Sequence, residues 1–230
     1  MKKAGIIGGI GPASTLDYYS GIIEGYRAAR QDGQYPGLVI DSINMTEMLG
    51  YVAGENWDGL IAMLLAAVKN VKNAGADVAA IASNTPHIVF DQLQEQSPVP
   101  LISIVEATCQ YVRETGCTRV IVMGTKFTMT NGLYTEKFRQ YGLQAFVPDE
   151  QEKEAIHNII FPKLEDGIVV PEDKKKLLGI AEKLITKHHA NGLVLGCTEL
   201  PLMVHAGDLP IEILNTAQIH VRSIVKYMLA

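Results

Sequence analysis

The chain has 230 residues, of which 47% are hydrophobic and 20% charged, and it carries a formal net charge of -5. That is the make-up of an ordinary folded protein, long enough for one large domain or two of about 100 residues, and its acidic balance offers no electrostatic footing for nucleic acid or an anionic membrane. The three cysteines, Cys109, Cys117 and Cys197, show no CxxC or Cys/His ligand spacing, which argues against a disulfide framework and a zinc site and points to a reducing, cytoplasmic setting.

In chain order, the N-terminus is interrupted by Gly and Pro before a signal-peptide core or membrane span can form. AGIIG at 4–8 reads instead as a first strand. Further short apolar runs follow: LVIDSI at 38–43, DVAAIA at 77–82, PLISI at 100–104, RVIVMG at 119–124, GLVLGC at 192–197 and IEIL at 211–214. Runs this continuous in Val, Ile, Leu and Ala suit parallel strands covered on both faces. Between them, 13–30, 57–73, 104–115, 172–189 and 215–229 carry apolar residues at helical spacing, several behind Asp, Asn, Ser or Thr caps. Gly75, Gly116 and Gly192, each just before a strand, are expected as helix stops. Lys174, Lys175 and Lys176 read as a solvated helix face. The rhythm predicts an α/β fold with open parallel sheets.

The two halves repeat one set of landmarks. Gly8, Ser83 and Pro100 in the first correspond to Gly124, Cys197 and Pro210 in the second, about 110 to 116 residues apart. The expected architecture is therefore two similar lobes related by pseudo-two-fold symmetry, 1–98 plus 212–230 and 99–211. The active site is expected in the cleft between them, outside the carboxyl ends of the strands.

Three segments have the composition of a site. GGIGPAST at 8–15 is a tight strand-to-helix turn in which Gly8, Gly9 and Gly11 allow backbone approach to an anion. It lacks the third glycine of a dinucleotide fingerprint, because Ser14 stands there. Ser83-Asn84-Thr85 and Cys197-Thr198-Glu199 end equivalent strands. A thiol between a strand end and a helix start is expected to gain thiolate character. Cys109 and Cys117 read as structural, and so do His157, His188, His189, His205 and His220. His87 either orients the strand-end loop or titrates in the cleft, or else makes a structural bond at a helix start.

GGIGPAST, SNTPH at 83–87, MGTKFTM at 123–129, IIFPKLEDG at 159–167 and LGCTELP at 195–201 together resemble the aspartate/glutamate racemase family, across essentially the whole chain. The resemblance implies a cofactor-independent racemase in which two cysteines move the Cα proton, with no pyridoxal phosphate, metal or nucleotide, and a homodimer. It implies Cys197 as the main base and Ser83 at the position of the other cysteine. It further implies Gly11, Asn84, Thr85, Thr125, Lys163, Thr198 and Glu199 around the substrate, with Thr128 nearby. Ser83 is a departure, since relatives carry Cys or Thr there, as is Met48, near which relatives have Arg. A serine hydroxyl has no ionisation near neutral pH, so the expected enzyme is impaired in one direction, and the resemblance to hydroxyl-bearing relatives implies that it is L-preferring. The alternatives are a single-cysteine decarboxylase of the arylmalonate type and a carboxylate-binding protein without turnover.

Overall fold

The near-continuous apolar runs become the central strands of two parallel sheets in the computed structural model, which describes residues 2–230. The first sheet holds β1 (Ala4–Gly8), β2 (Leu38–Ser42), β3 (Val78–Ile81) and β4 (Leu101–Ile102) in the order β2-β1-β3-β4. The second holds β5 (Arg119–Gly124), β6 (Gln144–Phe146), β7 (Gly192–Gly196) and β8 (Glu212–Asn215) in the order β6-β5-β7-β8. The two orders are one topology written twice, as the repeated landmarks require. In each sheet the inner pair is buried nearly throughout and the outer pair is partly exposed, which is why the inner strands lack polar alternation.

The helices, in chain order, are α1 (Pro12–Arg30), α2 (Met45–Ala53), α3 (Trp57–Asn73), α4 (Phe90–Gln96), α5 (Ile104–Thr115), α6 (Lys126–Thr130), α7 (Leu133–Gln140), α8 (Glu150–Ile159), α9 (Pro171–His188) and α10 (Thr216–Leu229). In the first unit, Ala4 and Ile6 of β1 pack with Tyr18, Ile22 and Tyr26 of α1 and with Ala217, Val221 and Ile224 of α10. Gly21 and Gly25 let these helices close up: a Cβ there would lie 3.2 and 3.3 Å from Val221 and Val225. In the second unit, Ile121, Met123, Leu193 and Leu195 form a core with Ile156 and Ile159 of α8 and Leu177, Ala181 and Leu184 of α9. Asp149 and Glu152 make a capping box at the start of α8. Among the described residues, no helix is long and apolar enough to cross a membrane.

Two expectations are corrected. The chain divides into one unit running to Ala107 and resumed by Ala217–Ala230, and a second of Thr108–Thr216. The limits 98/99 and 211/212 fall too early, because β4 hydrogen-bonds to β3 in the first sheet and β8 to β7 in the second. Gly192 is not a helix stop. It opens β7, and the left-handed residue ending α9 is His189. Gly75 and Gly116 do adopt positive φ, at 88° and 78°. Strand β6 carries no apolar run long enough to be legible in the sequence.

Candidate active site

In each sheet the chain runs from its first strand to an outer neighbour and then returns to the other side, so the carboxyl ends of β1 and β3, and of β5 and β7, flank a topological switch point. Open α/β sheets bind ligands at such points. The glycine turn follows β1, Ser83-Asn84-Thr85 follows β3, Thr125 follows β5 and Cys197-Thr198-Glu199 follows β7.

The turn after β1 is a fastened structure. Gly9, at φ 83°, donates its N–H to Thr15 Oγ1 at 2.8 Å, and Thr15 Oγ1 donates to the Gly11 carbonyl at 3.1 Å. Ser14 Oγ donates to the Ala82 carbonyl at 3.0 Å, tying the turn to the end of β3. The Gly9 amide is thus spent inside the protein, and Gly11 is the buried N-cap of α1. Beyond β3, Ser83 and Thr85 are half-buried and Asn84 is buried. His87 lies beneath them, its Nε2 accepting from the Ile104 N–H at 3.2 Å. Burial, and after it the neighbouring His220, push the His87 pKa down to about 3. His220 is bracketed by Tyr18 Oη and the Ile102 carbonyl, both at 2.8 Å, and burial lowers it to about 4. Met48 is buried in α2.

The second unit gathers acidic groups. Cys197 Sγ donates to Glu199 Oε2 at 2.9 Å, and Thr198 Oγ1 donates to Glu199 Oε1 at 2.8 Å. Both oxygens of one buried carboxylate therefore hold protons of neighbouring side chains. Glu165 joins them, its carboxylate within 4.8 Å of the Cys197 thiol and the Glu199 carboxylate. Burial, then Glu199, then Asp166 raise the Glu165 pKa to about 7. The expected thiolate character of Cys197 is reversed: burial first, then Glu199, and further Glu165, push the thiol well above its ordinary range. Only a three-residue turn, Leu200–Leu202, follows, too short for a helix terminus to offset two carboxylates. In this state Cys197 is a protonated thiol with an adjoining proton acceptor.

The remaining candidates divide. Thr125 caps α6, accepting from the Thr128 N–H at 3.3 Å with Thr128 Oγ1 at 3.1 Å. The half-exposed side chain of Lys163 pairs with Asp173 at 3.1 Å. Lys174 pairs with Asp208 at 2.8 Å, so the lysine run is partly neutralised. The sequence reading did not single out Glu165, although it stands inside the IIFPKLEDG stretch. The His87–His220–Tyr18 cluster had no sequence signal, because its members lie on three distant segments.

A family model described as Asp/Glu/Hydantoin racemase matches residues 7–224. A broad specificity amino-acid racemase of Bacillus subtilis (strain 168) is 24% identical over 231 residues, covering 98% of each chain. Among solved structures, an aspartate racemase homologue from Pyrococcus horikoshii OT3 is 39% identical with a TM-score of 0.89 over 100% of both chains. An aspartate racemase of Picrophilus torridus is 22% identical with a TM-score of 0.74, covering 99% of this chain and 94% of its own, and shows the same fold.

Proposed function

This chain belongs to the Asp/Glu/Hydantoin racemase family, and on that premise we propose that it is an amino-acid racemase acting on aspartate or glutamate by 1,1-proton transfer at Cα. The observation that carries the reading is the thiol-to-carboxylate contact of 2.9 Å between Cys197 and Glu199 at the end of β7. A Cα proton is very weakly acidic, so its removal needs a base released at the moment of reaction and donors for the developing charge. Glu199 supplies the release: when it takes the thiol proton, Cys197 becomes the base, and Cys197 returns to the thiol on receiving the Cα proton. Glu165 lies close enough to share the proton with Glu199, much as neighbouring carboxylates share one elsewhere. Asn84, Thr85, Thr125 and Thr198 are the polar groups proposed to meet the α-carboxylate, and Gly11 and Lys163 are proposed as further substrate-binding residues.

Ser83 is proposed to serve the other face of Cα. Its hydroxyl relays a proton but makes a poor base, so one direction is impaired, and the resemblance to relatives with a hydroxyl residue at this position supports an L-preference. The test is α-deuterium exchange in heavy water with L- and D-aspartate and L- and D-glutamate. Exchange from the L-acids well above the D-acids, lost in Cys197→Ala and made more even in Ser83→Cys, is the expected result. Equal exchange from both enantiomers of one acid overturns the handedness, and activity surviving in Cys197→Ala overturns the base assignment. Release of carbon dioxide from a malonate, or ligand-induced stabilisation with no exchange, identifies the decarboxylase or the binding protein instead.

A further inference from the structure

His87 is buried four residues beyond Ser83, and its backbone N–H donates to the Asn84 carbonyl at 3.0 Å. Its ring stacks on Phe90 with centroids 5.2 Å apart and planes 7° apart, and meets His220 edge-on at 6.1 Å. His220 is itself immobilised: a carbonyl only accepts, so Nε2–H donates to Ile102, and Nδ1 accepts from the Tyr18 hydroxyl. The same logic fixes the tautomer of His87. The Ile104 N–H at the first residue of α5, one of the amides a helix leaves without an internal partner, donates to Nε2. The neutral ring therefore carries its proton on Nδ1. That atom is buried, has no hydrogen bond of ordinary geometry, and lies beside the carbonyls of Ser83 and Asn84. A protonated ring would set an Nε2–H against the Ile104 N–H, donor against donor.

An apolar side chain would fill this space without the cost of burying an imidazole. What the imidazole adds is a rigid span from the start of α5 to the strand end that carries Ser83. We propose that His87 is a positioning residue for the Ser83-Asn84-Thr85 segment, its single neutral tautomer fixing where the Ser83 hydroxyl and the Asn84 amide stand. The catalytic part of this proposal rests on the racemase reading above. Under that reading, L-exchange needs Cys197 alone, whereas conversion of L to D also needs Ser83. The ratio of conversion to exchange therefore reports Ser83 placement, which a loss of overall folding would not change.

Two variants separate the ends of the span. His87→Asn keeps a donor near Nδ1 but loses the acceptor for Ile104, and His87→Gln carries an amide oxygen out toward the Ile104 N–H. In His87→Asn the conversion-to-exchange ratio should fall on the order of tenfold to a hundredfold, the scale of a displaced reacting group, with partial recovery in His87→Gln. An unchanged ratio, with both rates lowered alike, overturns the proposal. Nitrogen-15 chemical shifts of wild-type His87 need no variant to fold: a neutral Nδ1–H ring from about pH 5 to about pH 9 is expected, and an Nε2–H ring or an ordinary titration overturns it. Absence of exchange in the wild type would sink the racemase reading, while the nitrogen shifts still decide the span itself.

Discussion

Replacing His220 by glutamine should remove about half of the acid sensitivity of the first unit. His87 and His220 are buried neutral rings, lowered to about 3 and about 4 mainly by burial, against an ordinary value near 6.5 in the unfolded chain. Both folded values lie below the unfolded one, so the unfolded state binds more protons as pH falls. The stability they contribute is present above about pH 6.5 and is lost on the way down through the folded values. At about pH 5, some one and a half units below the unfolded value, each ring has forfeited about 2 kcal/mol and the pair about 4 kcal/mol. Total stabilities run about 5–15 kcal/mol, so this loss dominates the acid behaviour before most carboxylates protonate. Glutamine does not titrate, and its amide has both the donor for the Ile102 carbonyl and the acceptor for the Tyr18 hydroxyl. Trp57, the single tryptophan, lies in α3 and reports on this unit. Urea unfolding followed by its fluorescence at about pH 8 and about pH 5 should show a drop of about 4 kcal/mol in the wild type and about 2 kcal/mol in the variant, at constant m-value. Equal drops in the two proteins would refute the reasoning.

In the second unit, Glu199→Gln removes the acceptor of the Cys197 proton, and conversion should fall by roughly two to three orders of magnitude. The same change relieves the largest charge acting on the thiol, so iodoacetamide should alkylate Cys197 faster at neutral pH; slower alkylation contradicts the assignment. Glu165 is protonated below about pH 7. Above that pH it adds a second negative charge beside the thiol and hinders thiolate formation, giving an alkaline limb in the rate that belongs to the coupled pair. The limb should vanish in Glu165→Gln, and its persistence there would exclude Glu165 as the source. Gly9→Ala places a Cβ 2.4 Å from the Ile43 carbonyl at a φ of 83°, and should cost about 2 kcal/mol or more; a thermal midpoint equal to that of the wild type would show that the turn tolerates a side chain.

The parts of the fold that the sequence exposes are those where burial and periodicity agree. AGIIG, DVAAIA, RVIVMG and GLVLGC are inner strands with helices on both faces, so apart from Asp77 and Arg119 at the start of two of them every residue is apolar or small and the run stands out. Gln144–Phe146 pairs on one side only and is three residues long, which leaves its composition unremarkable. The unit limits were misplaced for a related reason. Leu101–Ile102 and Glu212–Asn215 are outer strands at the junctions, and which sheet they join depends on hydrogen bonds that composition does not encode. Helix α2 was missed because nine residues give too few turns for its buried Met48 and Val52 to establish a period.

The candidate site residues at 83–85, 125 and 197–199 were legible as strand-end motifs, but their electrostatics were not. Cys197 at a strand end suggests an activated thiolate, yet two carboxylates, one of them from the distant 159–167 segment, turn it into a thiol. At the equivalent place in the first unit the neighbour is a neutral imidazole with no net charge to offer Ser83. One duplicated frame thus sets the two positions proposed to react in opposite surroundings: acidic and proton-rich at Cys197, and beside a neutral imidazole at Ser83. A hydroxyl needs accurate placement more than charge, because it acts only by hydrogen bonding and relay, whereas a thiol beside a carboxylate needs a place to leave its proton. On that view the departure at Ser83 and the environment of His87 belong together, and Ser83→Cys alone should not make the two directions equal: the neutral imidazole that adjoins this strand end is no counterpart of the Glu199 carboxylate that takes the Cys197 proton.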